Sequence, residues 1–237
     1  MELVTGGAGF IGSHLVDSLV SKGLKVRVLD NFSSGRKEFL EHHSETNNVE
    51  IIIADLLDLD AVKSAMNGIE TVHHLAANPD IRLGTEITDT DLQQGTIATY
   101  NVLEAMRHNG VKRISFASSS AIYGEASVMP TPETYGPVLP ISLYGASKLA
   151  SEALISSWCG TFGGEAWINR FANIVGPRGT HGVIFDFIHK LKKDPNRLEV
   201  LGNGLQEKSY MSAEDCVRAM VHLIDNAEGK VRLYNLG

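Results

Sequence analysis

The chain has 237 residues, 43% hydrophobic and 21% charged, with 21 Lys and Arg against 28 Asp and Glu for a net charge of −7. These proportions exclude intrinsic disorder, no apolar run reaches the ~20 residues of a membrane span, and the mild acidity speaks against a nucleic-acid binder. The two cysteines, Cys159 and Cys216, stand far apart, which excludes a disulfide framework or zinc cluster and suits a reducing cytoplasm.

Short apolar runs and helical patterns alternate along the chain. Residues 3–5 read as a strand, leaving no room for a signal peptide before them. A helix follows over 10–22, then a strand over 25–29 and an apolar run with three isoleucines over 49–54. A short helix at 61–66 precedes a strand at 71–75, and a long helix spans 91–109. Beyond it come a strand at 113–117, a helix at 143–159 and a strand at 165–171. Between 125 and 140 lie four of the seven prolines, so this stretch reads as a long irregular loop. Residues 173–181 read as loop, 183–192 as helix, 198–201 as a short strand, 212–226 as helix and 231–235 as strand. Such alternation predicts an α/β fold, a doubly wound parallel sheet covered on both faces. The β-branched runs predict strands buried on both sides. Residues 1–172 are expected to form a Rossmann-type cofactor domain and 173–237 a partial substrate lobe whose chain crosses back to the sheet.

The strongest motif is Thr5-Gly6-Gly7-Ala8-Gly9-Phe10-Ile11-Gly12, set between a strand and a helix. Glycine permits the tight turn and the close approach of backbone to a pyrophosphate. The free N–H groups and dipole of the helix N-terminus then hold the anion. Gly6, Gly9, Phe10, Ile11 and Gly12 are therefore expected to bind a dinucleotide. Asp30 ends the second strand eighteen residues after Gly12. A carboxylate there accepts from ribose hydroxyls and repels a 2′-phosphate, which favours NAD over NADP. Asn31, Ser33, Ser34 and Gly35 continue that contact, while Arg36 keeps NADP open. Asp55 and Leu56 follow the third strand, Asp55 within reach of an adenine amino group and Asp58 as a helix cap. Leu75, Ala76 and Ala77 end the fourth strand, where small residues let backbone approach the cofactor.

Tyr144 and Lys148 are spaced i, i+4 on one helix face. A nearby ammonium favours phenolate and makes tyrosine a usable base. Ser118, Ser119 and Ser120 end the preceding strand, at the same rim of the sheet as the glycines. His73 and His74 point to opposite faces of a strand and read as structural. His42 and His43 read as a solvated loop or helix end, so no metal is expected. Met211, Met220 and Phe187 read as core, and Cys159 lacks a base partner.

Several of these segments together carry a family resemblance: TGGAGFIG at 5–12, LDNFSSGR at 29–36, HLAA at 74–77, SSSAIYG at 118–124, YGASK at 144–148, NIVGPRG at 173–179 and GNGLQEKSY at 202–210. The chain resembles the extended short-chain dehydrogenase/reductases of the NAD-dependent epimerase/dehydratase group. The resemblance implies bound NAD and epimerisation at C4 of a UDP-hexose, such as UDP-glucose or UDP-galactose, through a transient 4-keto sugar. It implies Tyr144 as the base at the 4-hydroxyl, Lys148 on the nicotinamide ribose and Ser119 sharing the proton. Ser118, Gln94 and Ala172 would line the cofactor site. Asn173, His181, Val183 and Lys208 would face the UDP-sugar, Lys208 standing where the family often has arginine. Dehydratases of the group carry an Asp-Glu pair after the Ser119 position, whereas this chain has Ser120 and Ala121. Other nucleotide sugars (UDP-glucuronate, UDP-N-acetylhexosamines), a net reductase and a non-enzymatic NAD-binding relative are the alternatives. A homodimer through the 91–109 and 143–159 helices is expected. Relatives continue past residue 237, so the resemblance also implies a substrate lobe that is unfinished here.

Overall fold

A computed structural model describes residues 1–237. In chain order, β1 (Glu2–Thr5), α1 (Phe10–Ser21), β2 (Val26–Asp30), β3 (Val49–Ile53), α2 (Leu59–Ala65) and β4 (Thr71–His74) form the first half. The second begins with α3 (Leu83–Glu86), a π-type turn at Leu92–Ile97, α4 (Ala98–Asn109), β5 (Arg113–Ser119), α5 (Leu143–Phe162) and β6 (Glu165–Phe171). It ends with β7 (Asn173–Val175), α6 (Val183–Lys193), β8 (Tyr210–Ser212), α7 (Ala213–Asn226) and β9 (Val231–Leu236). Seven parallel strands run in the order β3-β2-β1-β4-β5-β6-β9. The order reverses between β1 and β4, the point at which doubly wound sheets open a ligand crevice.

Alternation along each inner strand builds two cores. Leu3, Leu29, Val72, Ile114 and Ile168 pack with Val62, Val102, Met106, Ile155 and Trp158 on one face. Val4, Val28 and Ala117 pack with Leu15, Val16, Leu19, Val217 and Met220 on the other. This is the period-2 geometry of a strand covered on both sides. Local chemistry sets the helix ends. Asp58 caps α2 by accepting from Ala61 N–H, Ser142 caps α5 through Gly145 N–H, and Ser212 caps α7 through Asp215 N–H. Gly110 closes α4 at φ +72°, the left-handed position that favours glycine.

Several sequence expectations are corrected. β3 is not buried on both faces: it is the sheet edge, and Ile51 and Ile53 are 45% and 64% exposed. Residues 198–201 form no strand, because no neighbour offers them a backbone ladder. Residues 173–175, read as loop, instead pair in parallel with 210–212 as a separate two-stranded sheet. Helix α6 contains no buried residue, so Phe187 is not a core side chain. The long helix at 91–109 begins with the π turn, where Gly95 packs so closely on α5 that a Cβ would lie 2.6 Å from Ser147 Oγ. His73 and His74 do point apart. His73 Nε2 lies 3.0 Å from Glu2 Oε2, and His74 sits between the hydroxyls of Thr5 and Thr99. His42 and His43 are not simply solvated: His43 is buried and both rings meet Asp17. No helix is long and apolar enough to cross a membrane.

Candidate active site

A cleft of about 900 Å³ opens at the carboxyl ends of the strands. Its floor begins at the glycine turn. Gly6 adopts φ +69° and a Cβ on it would stand 2.7 Å from Ala76 N, so β1 and the end of β4 approach as only glycine allows. A Cβ on Gly12 would collide with the Gly6 carbonyl oxygen. Helix α1 starts with Gly9 as its N-cap, with no side-chain cap and no acidic residue in its first turn. Its leading N–H groups are thus left for an anion from outside the chain. A dinucleotide pyrophosphate fits this cradle.

Gly6, Gly9, Phe10, Ile11 and Gly12 all line the cleft, as do Asp30, Asn31, Ser33, Ser34 and Gly35 from the end of β2. Asp30 is held rigidly: Ala8 N–H donates to Oδ2 at 2.9 Å and Phe32 N–H to Oδ1 at 2.8 Å. Burial raises its pKa, and those two backbone bonds pull it back. Leu56, Leu75, Ala76, Ala77 and Gln94 stand on the same wall, whereas Asp55 does not. The Asp55 carboxylate is turned to its own loop, accepting from Asn31 Nδ2 at 2.8 Å and Leu57 N–H at 2.9 Å.

Across the cleft, β5 delivers Ser118 and Ser119, and α5 delivers Tyr144 and Lys148. Lys148 is 3% exposed, and its ammonium donates to the Ala117 carbonyl at 2.7 Å. It lies 5.7 Å from the Tyr144 ring centroid and 4.9 Å from that of Phe116. Burial drives the Lys148 pKa down to about 8, while the carboxylates of Asp91 and Glu152 work to raise it. Burial also pushes the Tyr144 hydroxyl up to about 12. The Ser119 hydroxyl opposes that rise and Asp91 adds to it. Desolvation thus works against the phenolate that a neighbouring ammonium favours. His74, buried beneath, is driven down to about 3 by burial and by the Lys148 charge, so it is a neutral imidazole.

The far end of the cleft is built from Ala172 and Asn173 after β6, from His181 and Val183 at the start of α6, and from Lys208 before β8. Asn173 donates from Nδ2 to the Ser209 carbonyl at 3.0 Å. Sequence reasoning missed a buried network behind the serines. Ser118 Oγ donates to Glu152 Oε1 at 2.5 Å, and Arg170 grips both oxygens of Glu152 at 3.0 and 2.8 Å. Arg170 also donates to the Tyr123 hydroxyl, which donates to Asn235 Oδ1 at 2.7 Å. Asn235 in turn donates to the Thr131 carbonyl in the proline-rich loop. The available signal was Glu152 one turn beyond Lys148 on the Tyr144 face, together with Arg170 as the one basic residue of the strand EAWINRF. A second missed pair is Asp91, 2% exposed, held by Asn78 Nδ2 at 3.1 Å. Asp30 is the only carboxylate on the cleft wall.

Comparison with known proteins agrees with the fold. A crystal structure of a UDP-galactose 4-epimerase is 44% identical and superposes with a TM-score of 0.89 over 100% of this chain and 76% of that one. The UDP-glucose 4-epimerase of Thermotoga maritima, solved with UDP-glucose, is 33% identical with a TM-score of 0.89 over 100% of this chain and 76% of that one. UDP-glucuronic acid decarboxylase 1 of Xenopus tropicalis is 33% identical over 98% of this chain and 56% of its own length. A family model, NAD dependent epimerase/dehydratase, matches residues 2–237. The protein is thus an NAD-dependent enzyme acting on nucleotide sugars, and the chain belongs to the NAD dependent epimerase/dehydratase family.

Proposed function

We propose that the protein interconverts UDP-hexoses at C4, as between UDP-glucose and UDP-galactose. The observation that carries this reading is the chemistry of the cleft wall: Ser119, Tyr144 and Lys148 all line it, and the one carboxylate, Asp30, stands apart at the end of β2. Elimination of water needs a positioned acid and base beside the sugar, and Ser120 and Ala121 provide no carboxyl group for it. NAD, when bound, supplies hydride acceptance and return at C4. Tyr144 takes and restores the proton of the 4-hydroxyl, Ser119 shares it, and Lys148 supplies the positive charge that makes a phenolate accessible. Gly6 to Gly12 hold the pyrophosphate, Asp30 orients the adenosine ribose, and Gln94, Ser118 and Ala172 shape the cofactor wall. Asn173, His181, Val183 and Lys208 face the UDP-sugar. A lysine at 208 gives charge to the diphosphate without an arginine's bidentate fork. Leu92, Ile97, Tyr100, Leu143 and Phe162 are exposed apolar side chains on the 91–109 and 143–162 helices, and they support a homodimer through that face.

A second reading, decarboxylation or epimerisation of UDP-glucuronate, is favoured by the similarity to the decarboxylase and by Lys208, which can face a sugar carboxylate. Purified protein given UDP-galactose without added cofactor should form UDP-glucose with no net NADH. Tyr144→Phe should lower kcat by about 10²–10⁴-fold, the usual worth of a positioned proton-transfer group. Turnover of UDP-glucuronate with CO₂ release and none of UDP-galactose would overturn the first reading in favour of the second.

A further inference from the structure

Outside the cleft, one cluster of side chains has the chemistry of a metal site. His42 and His43 are neighbours in a single 3₁₀ turn, and their rings lie 4.0 Å apart at a 41° tilt. Both Nε2 atoms lie 2.7 Å from the same oxygen, Oδ1 of Asp17 on helix α1. Consecutive residues of a 3₁₀ turn leave the backbone about 120° apart, so two rings reaching one atom is a specific convergence. The three ligand atoms stand within 4.8 Å of one another. We propose that Asp17, His42 and His43 bind a divalent first-row transition ion of the zinc class, at a site separate from the reaction centre.

The donor set decides the class. Two imidazole nitrogens and one carboxylate oxygen suit Zn²⁺, Co²⁺, Ni²⁺ or Cu²⁺, whereas Mg²⁺ and Ca²⁺ require mostly oxygen. The second carboxylate oxygen, Oδ2, is engaged by Arg178 Nη1 at 2.8 Å, so the guanidinium orients Asp17 and leaves Oδ1 toward the rings. Burial raises the Asp17 pKa, but the bonds from His43 and His42 and the Arg178 charge outweigh it and leave the carboxyl below its usual range. Asp17 is therefore an anion at neutral pH. His43 is 9% exposed and fixed, while His42 is 48% exposed and free to swing outward by the fraction of an ångström a metal needs. The open side leaves room for water ligands. Arg178 also works against a cation, since its charge lies just across the carboxylate. A bound ion would tie α1, whose N-terminus holds the glycine cradle, to the turn beyond the Asp30 loop. This inference stands apart from the epimerase reading, and its test needs no turnover.

Metal-stripped protein is dialysed against Zn²⁺ at pH 7.5, and Co²⁺ is followed by its visible absorption. One equivalent is expected, with binding weakening as the pH is lowered, because protons compete with the metal for its ligand atoms. His42→Ala, at a half-exposed position, should fold normally and weaken binding at least ~10-fold, and Asp17→Asn should do the same. Arg178→Gln should tighten it by about tenfold, because an opposing charge is removed. Absence of a stoichiometric ion at about 100 μM Zn²⁺, well above the ~1 μM affinity expected of a specific site, overturns the proposal. So does an affinity that His42→Ala and Asp17→Asn leave unchanged, the result expected if the ion sits on other surface histidines such as His189 or His222.

Discussion

The main sheet and the segment from Asn173 to Ser212 are built differently. In the sheet, α4 and α5 bury most of one face each, with Ala98, Val102, Leu103 and Met106 on one and Ile155, Trp158 and Cys159 on the other. In the outer segment, α6 buries nothing: Val183, Ile184, Ile188 and Leu191 are all exposed, as are Leu198 to Leu205 in the loop that follows. Yet both contribute to one cleft. The cofactor end is held by residues that the chain packs by itself, while His181, Val183 and Lys208 come from elements with little core of their own. Preorganisation is therefore unequal along the site. On the proposed reading, NAD meets a cradle that the chain packs by itself, and the sugar nucleotide meets side chains from elements with little core behind them.

The largest test of this contrast is the buried ion pair behind the serines. Glu152 and Arg170 have side chains 7% and 6% exposed. Glu152→Ala leaves an uncompensated buried guanidinium and should cost about 3–5 kcal/mol in urea unfolding at pH 7. Replacing both partners by methionine should recover much of that loss, since the pair's net worth is far smaller than the cost of orphaning one half. A loss below 1 kcal/mol for Glu152→Ala would mean that water reaches this network and that the sheet half is no better packed than the outer segment.

A smaller effect should come from Lys148. Burial holds its pKa at about 8 against 10.5 for the free side chain. Between those values the unfolded chain keeps a proton that the folded chain has released. Stability from this group therefore rises with pH across that window and is lost as pH falls toward 8. Relative to Lys148→Met, the cofactor-free wild type should gain about 2 kcal/mol between pH 7.5 and 9.5. No gain would indicate that Asp91 and Glu152 outweigh the burial, leaving the lysine fully charged in the folded state.

Which parts were legible from the residues follows the same division. The glycine turn, Asp30 and the i, i+4 pair of Tyr144 and Lys148 are local patterns, and they could be placed because strand–turn–helix order fixes where they go. Glu152 with Arg170, and Asp17 with His42 and His43, are joined only by tertiary packing, across 18 and about 25 residues. No periodicity reports such a meeting. The edge position of β3 was equally hidden, because Ile51, Ile52 and Ile53 read the same in a central strand as at an edge. The strands β7 and β8 have three residues each and pair across an intervening helix, too short for any alternation to register. The partners of Asp55 were hidden as well: its carboxylate accepts from Leu57 N–H in an Asx-type turn and from Asn31 Nδ2, 24 residues away.

The smallest expected effect is that of Leu191→Ala, and it is sharpest beside Leu103→Ala, because the two set one residue type in one kind of element against itself. Leu103 on α4 is 3% exposed and Leu191 on α6 is 40% exposed. Leu103→Ala should cost about 2–5 kcal/mol, the transfer loss plus a cavity that the packed helices cannot close. Leu191→Ala removes a side chain already half in water and puts the best helix former in its place, so its change should stay within about 0.5 kcal/mol of zero. Both variants are read by the same urea midpoint with an unchanged slope, so that a shift reports stability and not altered compactness. Equal losses would mean that the apolar face of α6 is covered in the folded protein, and the softness assigned to the sugar end of the cleft would then belong to its loops alone.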